Sequence, residues 1–268
     1  MHDRSRDLRR DLRRLEGEHG GRLGVAILDT ANAASIAYRG GERFAMCSTF
    51  KFLAAAFVLA RVDRKRDSLI RRVIFAQDYL VRYSPVTEQH IGRGGMTMGE
   101  ICEAAITVSD NTAGNLLLDS FGGPAELTGY IRSLGDGVTR LDRREPGLNE
   151  VRPGDQRDTT TPLAMLELLR KIVLGDALMR SSRDQVIKWL VANKTGDRRL
   201  RAGVPSDWRV GDKTGSGAYN ATNDIGVIWP PTGPPIIVTA FYAETDASDS
   251  ERDALLAEVG RLTVLSAG

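Results

Sequence analysis

Residues 45–60, AMCSTFKFLAAAFVLA, form a short polar entry followed by a run that is apolar on every side. A helix with no polar face belongs inside a protein. Ser48, Thr49 and Lys51 break the apolar run only at its start, so their chemistry is placed at the mouth of a core helix. Residues three apart on a helix stand roughly 5–6 Å apart at Cβ, which sets the Lys51 amine beside the Ser48 hydroxyl. Serine is a weak nucleophile until a neighbour takes its proton, and a lysine stripped of water gives up its own proton more readily. The unpaired N–H groups of a helix start can also hold a developing oxyanion. Taken alone, SxxK equally describes an N-cap serine followed by a lysine reaching for solvent. The rest of the chain has to decide.

Before this helix, RLGVAILDT (22–30) and ASIAYRG (34–40) are β-prone runs joined by a tight polar turn, which predicts a hairpin. After it, from Thr49 to about Leu190, the apolar spacing is mostly helical, as in MTMGEICEAAITVS, NTAGNLLLDSF, AELTGYIRSL, TPLAMLELLRKIVL and RDQVIKWLVAN. Strand signals return in WRVGDKTG, TNDIGVIWP and PIIVTAFYAE, and the chain closes on the helical SERDALLAEVGRLTVL. Strands from the two ends must therefore pair. The expected fold is α/β (α+β), an antiparallel sheet of about five strands flanked by terminal helices, with an inserted all-helical lobe. Residues 1–45 and 192–268 form the sheet lobe and 46–191 the helical lobe, with the site in the cleft between them.

Composition narrows the function classes. The 268 residues are 41% hydrophobic and 27% charged, and no run nears the roughly 20 apolar residues of a membrane span. The 37 basic and 35 acidic side chains are interspersed, which gives no field for nucleic acid or anionic lipid. The first residues, MHDRSRDLRRDLRRLEGEHGG, lack the apolar core of a secretory signal. Leu8, Leu12 and Leu15 instead predict an amphipathic surface helix with solvated arginines. Cys47 and Cys102 make no metal-ligand spacing with His2, His19 and His90, so no metal site is expected.

Three further stretches carry chemistry. Ser109, Asp110 and Asn111 sit where ITV meets a helical run, a place that equally suits a helix cap. Lys213, Thr214, Gly215 and Ser216 end a β-prone run, where small residues let a ligand lie against a strand edge. Glu145, Pro146 and Asn149 fall in an aperiodic stretch from about Asp142 to Thr161, and so long a loop inside a compact protein is often functional.

SxxK, SDN and KTG in this order are the motif set of class A β-lactamases and penicillin-binding proteins, and the chain resembles the class A β-lactamases over nearly its whole length. The likeness extends to YSPVTEQH from Tyr83, RLDRREPGLNE, PGDQRDTTTP and DKTGSG. It implies that Ser48 is acylated by the β-lactam, with Lys51 as proton acceptor or electrostatic partner; whether Lys51 or Glu145, through water, takes the first proton is left open. Ser109 would pass a proton to the departing nitrogen. Lys213 would support Ser109 and the substrate carboxylate, and the backbone N–H groups of Ser48 and Ser216 would form the oxyanion hole. Glu145 and Asn149 would hold the deacylating water, Asn111 would contact the acylamide and Tyr83 would wall the cleft mouth. A cis Glu145–Pro146 bond and an Arg143–Asp158 pair pinning the loop belong to the same expectation.

Departures from the family pattern matter too. A common arginine on the strand after KTG aligns here with Thr222, so Arg199, with hydroxyls from Thr214 and Ser216 beside Gly215, is expected to bind the carboxylate. Two usual disulfides would need cysteines at Ala55 and Gly217, so two free thiols are expected. Gly147 stands where a side chain is usual and should loosen the loop. The resemblance implies no cofactor, β-lactam substrates as the only partners, a monomer, and a periplasmic or secreted location in a bacterium. A D,D-peptidase with slow deacylation, a non-catalytic penicillin-recognising domain and a serine esterase are the rival readings; Glu145 with Asn149 argues against the first. A Ser-His-Asp mechanism is opposed by histidines that fall outside the proposed cleft.

Overall fold

The computed structural model describes residues 2–266; Met1, Ala267 and Gly268, assigned above to the sheet lobe, lie outside the described residues. The chain opens with α1 (His2–His19) and the hairpin β1 (Arg22–Asp29) and β2 (Ala34–Tyr38). Strand β3 (Phe44–Ala45) leads through a 3-10 turn at Cys47–Thr49 into α2 (Phe50–Asp63). The ribbon β4 (Arg72–Val73) and β5 (Met96–Thr97) precedes α3 (Met98–Thr107), α4 (Asn111–Phe121) and α5 (Pro124–Ser133). Then come β6 (Thr159–Thr160), α6 (Pro162–Leu169), α7 (Arg180–Val191), β7 (Arg209–Ser216), β8 (Thr222–Trp229), β9 (Ile236–Ala243) and α8 (Asp249–Ser266).

The five long strands make one antiparallel sheet in the order β2-β1-β9-β8-β7. The pairing of β1 with β9, Arg22 opposite Ala243, joins the two ends of the chain as the strand signals require. Alternation along β1 sends Val25 and Ile27 to one face and Ala26 to the other. On the first face Leu8, Leu12 and Leu15 of α1 meet Leu255, Leu256 and Val259 of α8. On the second, Ala26, Ile225, Ile237 and Phe241 continue into the core of the helical lobe. There α2 is wrapped by α3, α4, α5 and α7, and its residues from Phe50 to Ala60 are buried apart from the half-covered Phe57.

Local sequence sets the joins. Thr97 and Glu100 form a reciprocal capping box on α3, and Thr161 caps α6 just ahead of Pro162. One element departs from its pattern. TPLAMLELLRKIVL has continuous helical spacing, yet α6 stops at Leu169 and Arg170–Leu174 winds as a π-helix. Within that wider turn Lys171 Nζ donates to the Leu134 carbonyl at 2.5 Å.

Candidate active site

Ser48 sits in the 3-10 turn before α2, so it is not the N-cap; Thr49 holds that position and its side chain caps nothing. Cys47 beside it has φ +46°, a strained value of the kind that gathers at functional sites. Lys51, one turn into α2 and fully buried, donates from Nζ to Ser48 Oγ at 2.8 Å, Asn111 Oδ1 at 2.6 Å and the Ser109 carbonyl at 2.8 Å. Its fourth neighbour is Glu145 Oε1 at 2.9 Å. Burial lowers the Lys51 pKa from its usual value, and Glu145 works against that shift. Lysine, serine and glutamate thus form one buried triangle, closed by a 3.4 Å contact from Ser48 Oγ to Glu145 Oε1.

The loop that delivers Glu145 is tied at its ends and in its middle. Asp158, fully buried at φ +57°, accepts the N–H groups of Asp142 and Arg143 at 2.7 and 2.9 Å and Arg143 Nε at 2.6 Å. The expected pin is therefore a buried carboxylate with three donors, stronger than a surface ion pair. Asn115 of α4 clamps the Glu145 peptide on both sides, Nδ2 to its carbonyl and Oδ1 from its N–H, each at 3.0 Å. Asn149 Nδ2 donates to Glu145 Oε2 at 2.5 Å, and the Glu145–Pro146 bond is cis.

The SDN stretch divides its labour. Asp110 is the N-cap of α4 and accepts from Ala113, Val86 and Thr87, which makes it structural. Ser109, held at φ +60°, lies between two lysines: Lys213 Nζ donates to its Oγ at 3.0 Å while Lys51 takes its carbonyl. Lys213 is fully buried on β7, and burial, then the neighbouring Lys51 charge, pushes its pKa well below the lysine range.

These elements enclose a cavity of about 340 Å³ lined by Ser48, Tyr83, Ser109, Asn111, Asn149, Thr195, Arg199 and the Thr214–Ser216 strand edge. A larger depression beside Arg152 and Tyr219 holds no such nucleophile and base. Arg199, ahead of β7 in the chain, reaches the cavity with Nη2 on Ser216 Oγ at 2.9 Å and donates from Nε to Asp253 Oδ1 at 2.8 Å. Its neighbours are used elsewhere: Arg198 pairs with Asp253 from an exposed position, and Arg201 binds Asp212. Thr222 accepts from Arg252 Nε at 2.9 Å. Tyr83, 57% exposed, forms the rim. Cys47 and Cys102 are separate buried thiols, and burial pushes Cys47 up to about 12. His90 does not line the cavity.

Sequence reasoning missed Thr195, whose Oγ1 meets Thr214 Oγ1 at 2.5 Å, together with Asn115 and Asp253. Asn115 left a signal, a polar side chain at a core position of NTAGNLLL, whereas Thr195 and Asp253 left none.

The description "Beta-lactamase enzyme family" fits residues 7–266 of the chain. An ancestral (GNCA) class A β-lactamase of known structure matches with a TM-score of 0.95 and 62% identity, covering 97% of this chain and 99% of that one. β-Lactamase FAR-1 of Nocardia farcinica is 50% identical over 250 residues, 93% of this chain and 80% of its own. β-Lactamase OXY-2 of Klebsiella oxytoca is 47% identical over 248 residues, 92% and 85% of the two. The chain belongs to the class A β-lactamase family.

Proposed function

We propose that the protein hydrolyses β-lactams through an acyl-enzyme on Ser48. Ser48 Oγ attacks the lactam carbonyl as its proton passes to the Lys51–Glu145 pair, whose Nζ and Oε1 atoms lie 2.9 Å apart. The negative charge on the carbonyl oxygen falls to the N–H groups of Ser48 and Ser216, both on the cavity wall. As the ring C–N bond breaks, Ser109, with Lys213 on its hydroxyl, hands the nitrogen a proton and regains the one that the Lys51–Glu145 pair took from Ser48. Water held by Glu145 and Asn149 then adds to the ester carbon as Glu145 takes its proton, and Ser48 departs as that proton is returned to its Oγ through Lys51. Arg199, Thr214 and Ser216 hold the substrate carboxylate, Asn111 its amide and Tyr83 the mouth.

The observation that carries this reading is the buried Glu145 carboxyl, 3.4 Å from Ser48 Oγ and bonded to Asn149. A peptidase that keeps its acyl-enzyme needs no base there. The test mixes the protein with a chromogenic cephalosporin and follows turnover and intact mass. Steady hydrolysis is expected from the parent, a trapped adduct on Ser48 from Glu145→Gln, and neither from Ser48→Ala. A stoichiometric burst from both parent and Glu145→Gln instead assigns a peptidase, and labelling of Ser48→Ala ends the scheme.

The same reading takes the cleft as the seam between lobes 1–45 with 192–268 and 46–191. It also takes the enzyme as a monomer acting in the periplasm or outside the cell, without nucleic-acid partners. No helix among the described residues is long and apolar enough to cross a membrane.

A further inference from the structure

Two carboxyl groups lie together in the sheet beneath the cleft, and the reaction above uses neither. Asp212 pairs with Gly226 and Asp224 with Thr214, so the aspartates are diagonal neighbours on one face of β7 and β8. Gly226 leaves them room, since a Cβ there would stand 3.3 Å from that of Asp212. Both side chains are fully buried. Asp212 is well supplied with donors and keeps one acceptor site: Oδ2 accepts only Asn193 Nδ2, at 2.6 Å, while Oδ1 accepts Arg201 Nε at 3.1 Å as well as Nη2. Asp224 is not so supplied. Its Oδ2 accepts the Leu200 N–H at 3.2 Å, whereas Oδ1 is buried without a hydrogen-bond partner among the described residues.

An ionised oxygen left in that state is costly, but a protonated one has a use, because it can donate to Asp212. Burial first, and the Asp212 charge second, hold Asp224 well above the ordinary carboxyl value. The other charges around the pair are Lys213 on β7, Arg199 and Arg201 ahead of it, and Asp253 of α8 behind Arg199. The pair grips one segment at consecutive residues, Asp224 taking the Leu200 N–H and Asp212 the Arg201 guanidinium. Arg199 is the next residue, and from there it reaches the cavity.

We propose that Asp224 is a neutral carboxylic acid donating its proton to Asp212, and that it acts as a positioning residue for Arg199. The inference rests on the reading of Arg199 as the cation facing the substrate carboxylate.

Asp224→Asn and Asp224→Leu test it. An amide reproduces both bonds of the neutral acid, so Asp224→Asn should keep KM for a carboxylate-bearing cephalosporin within about twofold, while Asp224→Leu raises KM about tenfold with kcat little changed. A folded-state pKa above the unfolded value means that this group's stability contribution is full at low pH and is lost as pH climbs toward the folded value. Asp224→Asn should therefore raise Tm at neutral pH, with a gain that shrinks as pH falls into the ordinary carboxyl range. Infrared difference spectra should show a protonated-carboxyl stretch in the parent that vanishes in Asp224→Asn. Absence of that band, or a KM in Asp224→Asn as poor as in Asp224→Leu, overturns the proposal. Should Asp224→Leu not fold, the band and the Asn variant still decide. Parent turnover is followed alongside: its absence sinks the hydrolase reading, whereas turnover without the band sinks only this one.

Discussion

The core under α1 and α8 and the floor of the cleft are equally buried and built from opposite materials. The first is almost wholly aliphatic, Leu12, Leu23, Val238, Leu256 and Val259 among its members. The second hides Lys51, Asp110, Asp212, Lys213 and Asp224 at no exposure, with Glu145 at 4%. Aliphatic burial stabilises at roughly 25 cal/mol per Å², whereas a buried charge opposes folding unless it is paired and hydrogen-bonded. The cleft floor is therefore kept for chemistry and is carried by the stability of the outer core.

Substitutions of similar size should then act on different observables in the two regions. The largest effect is expected from Lys51→Met, which removes the proton carrier and should lower kcat/KM for a chromogenic cephalosporin by about 10²–10⁴. Leu12→Ala, under α1, should cost about 2–5 kcal/mol in denaturant titrations while kcat/KM of the folded enzyme stays at the parent value. Retention of most turnover in Lys51→Met, or a slow but fully folded Leu12→Ala, would break the contrast.

A subtler effect comes from Lys213, whose pKa burial and Lys51 push well below 10.5. If its ammonium holds the substrate carboxylate, kcat/KM should fall as pH rises through that lowered value. The stability contribution runs the other way. Between the folded value and about 10.5 the unfolded chain binds the extra proton, so this group adds stability as pH rises. A guanidinium stays charged throughout, so Lys213→Arg should move the alkaline limb of the kcat/KM profile to higher pH. A limb that stays in place would assign it to another group.

The outer core was the more legible region for the same physical reason. Leu8, Leu12 and Leu15 are periodic and β1, β8 and β9 are β-prone runs, and such local patterns are what a linear sequence displays. The site was legible only where several motifs agreed: SxxK alone fits a cap, and Asp110 in fact is one. Contacts between residues far apart in the chain, such as Asp253 on Arg199 or Asp224 beside Asp212, have no local pattern and emerge only when strands and helices are assembled. The π-helical end of α6 was hidden because a widened turn needs no change in composition.

The smallest effect tests whether the catalytic loop is looser than its anchors require. Gly147 opens the 3-10 turn that ends at Asn149, and it lies one residue beyond the cis Glu145–Pro146 bond. A Cβ added there meets nothing within 4 Å, and φ at this position lies outside the left-handed range that favours glycine. Glycine is thus not required by space or by backbone geometry, and its main consequence is a larger entropy in the unfolded loop. Gly147→Ala should stabilise the protein by about 0.4–1 kcal/mol, seen as a rise in Tm of about 1–3 °C, with deacylation equal to or slightly faster than in the parent. Asn115 and Asp158 already hold the loop at its middle and end, so the change has only the short stretch between Pro146 and Asn149 left to order. A fall in Tm would mean that the loop draws on conformations open only to glycine.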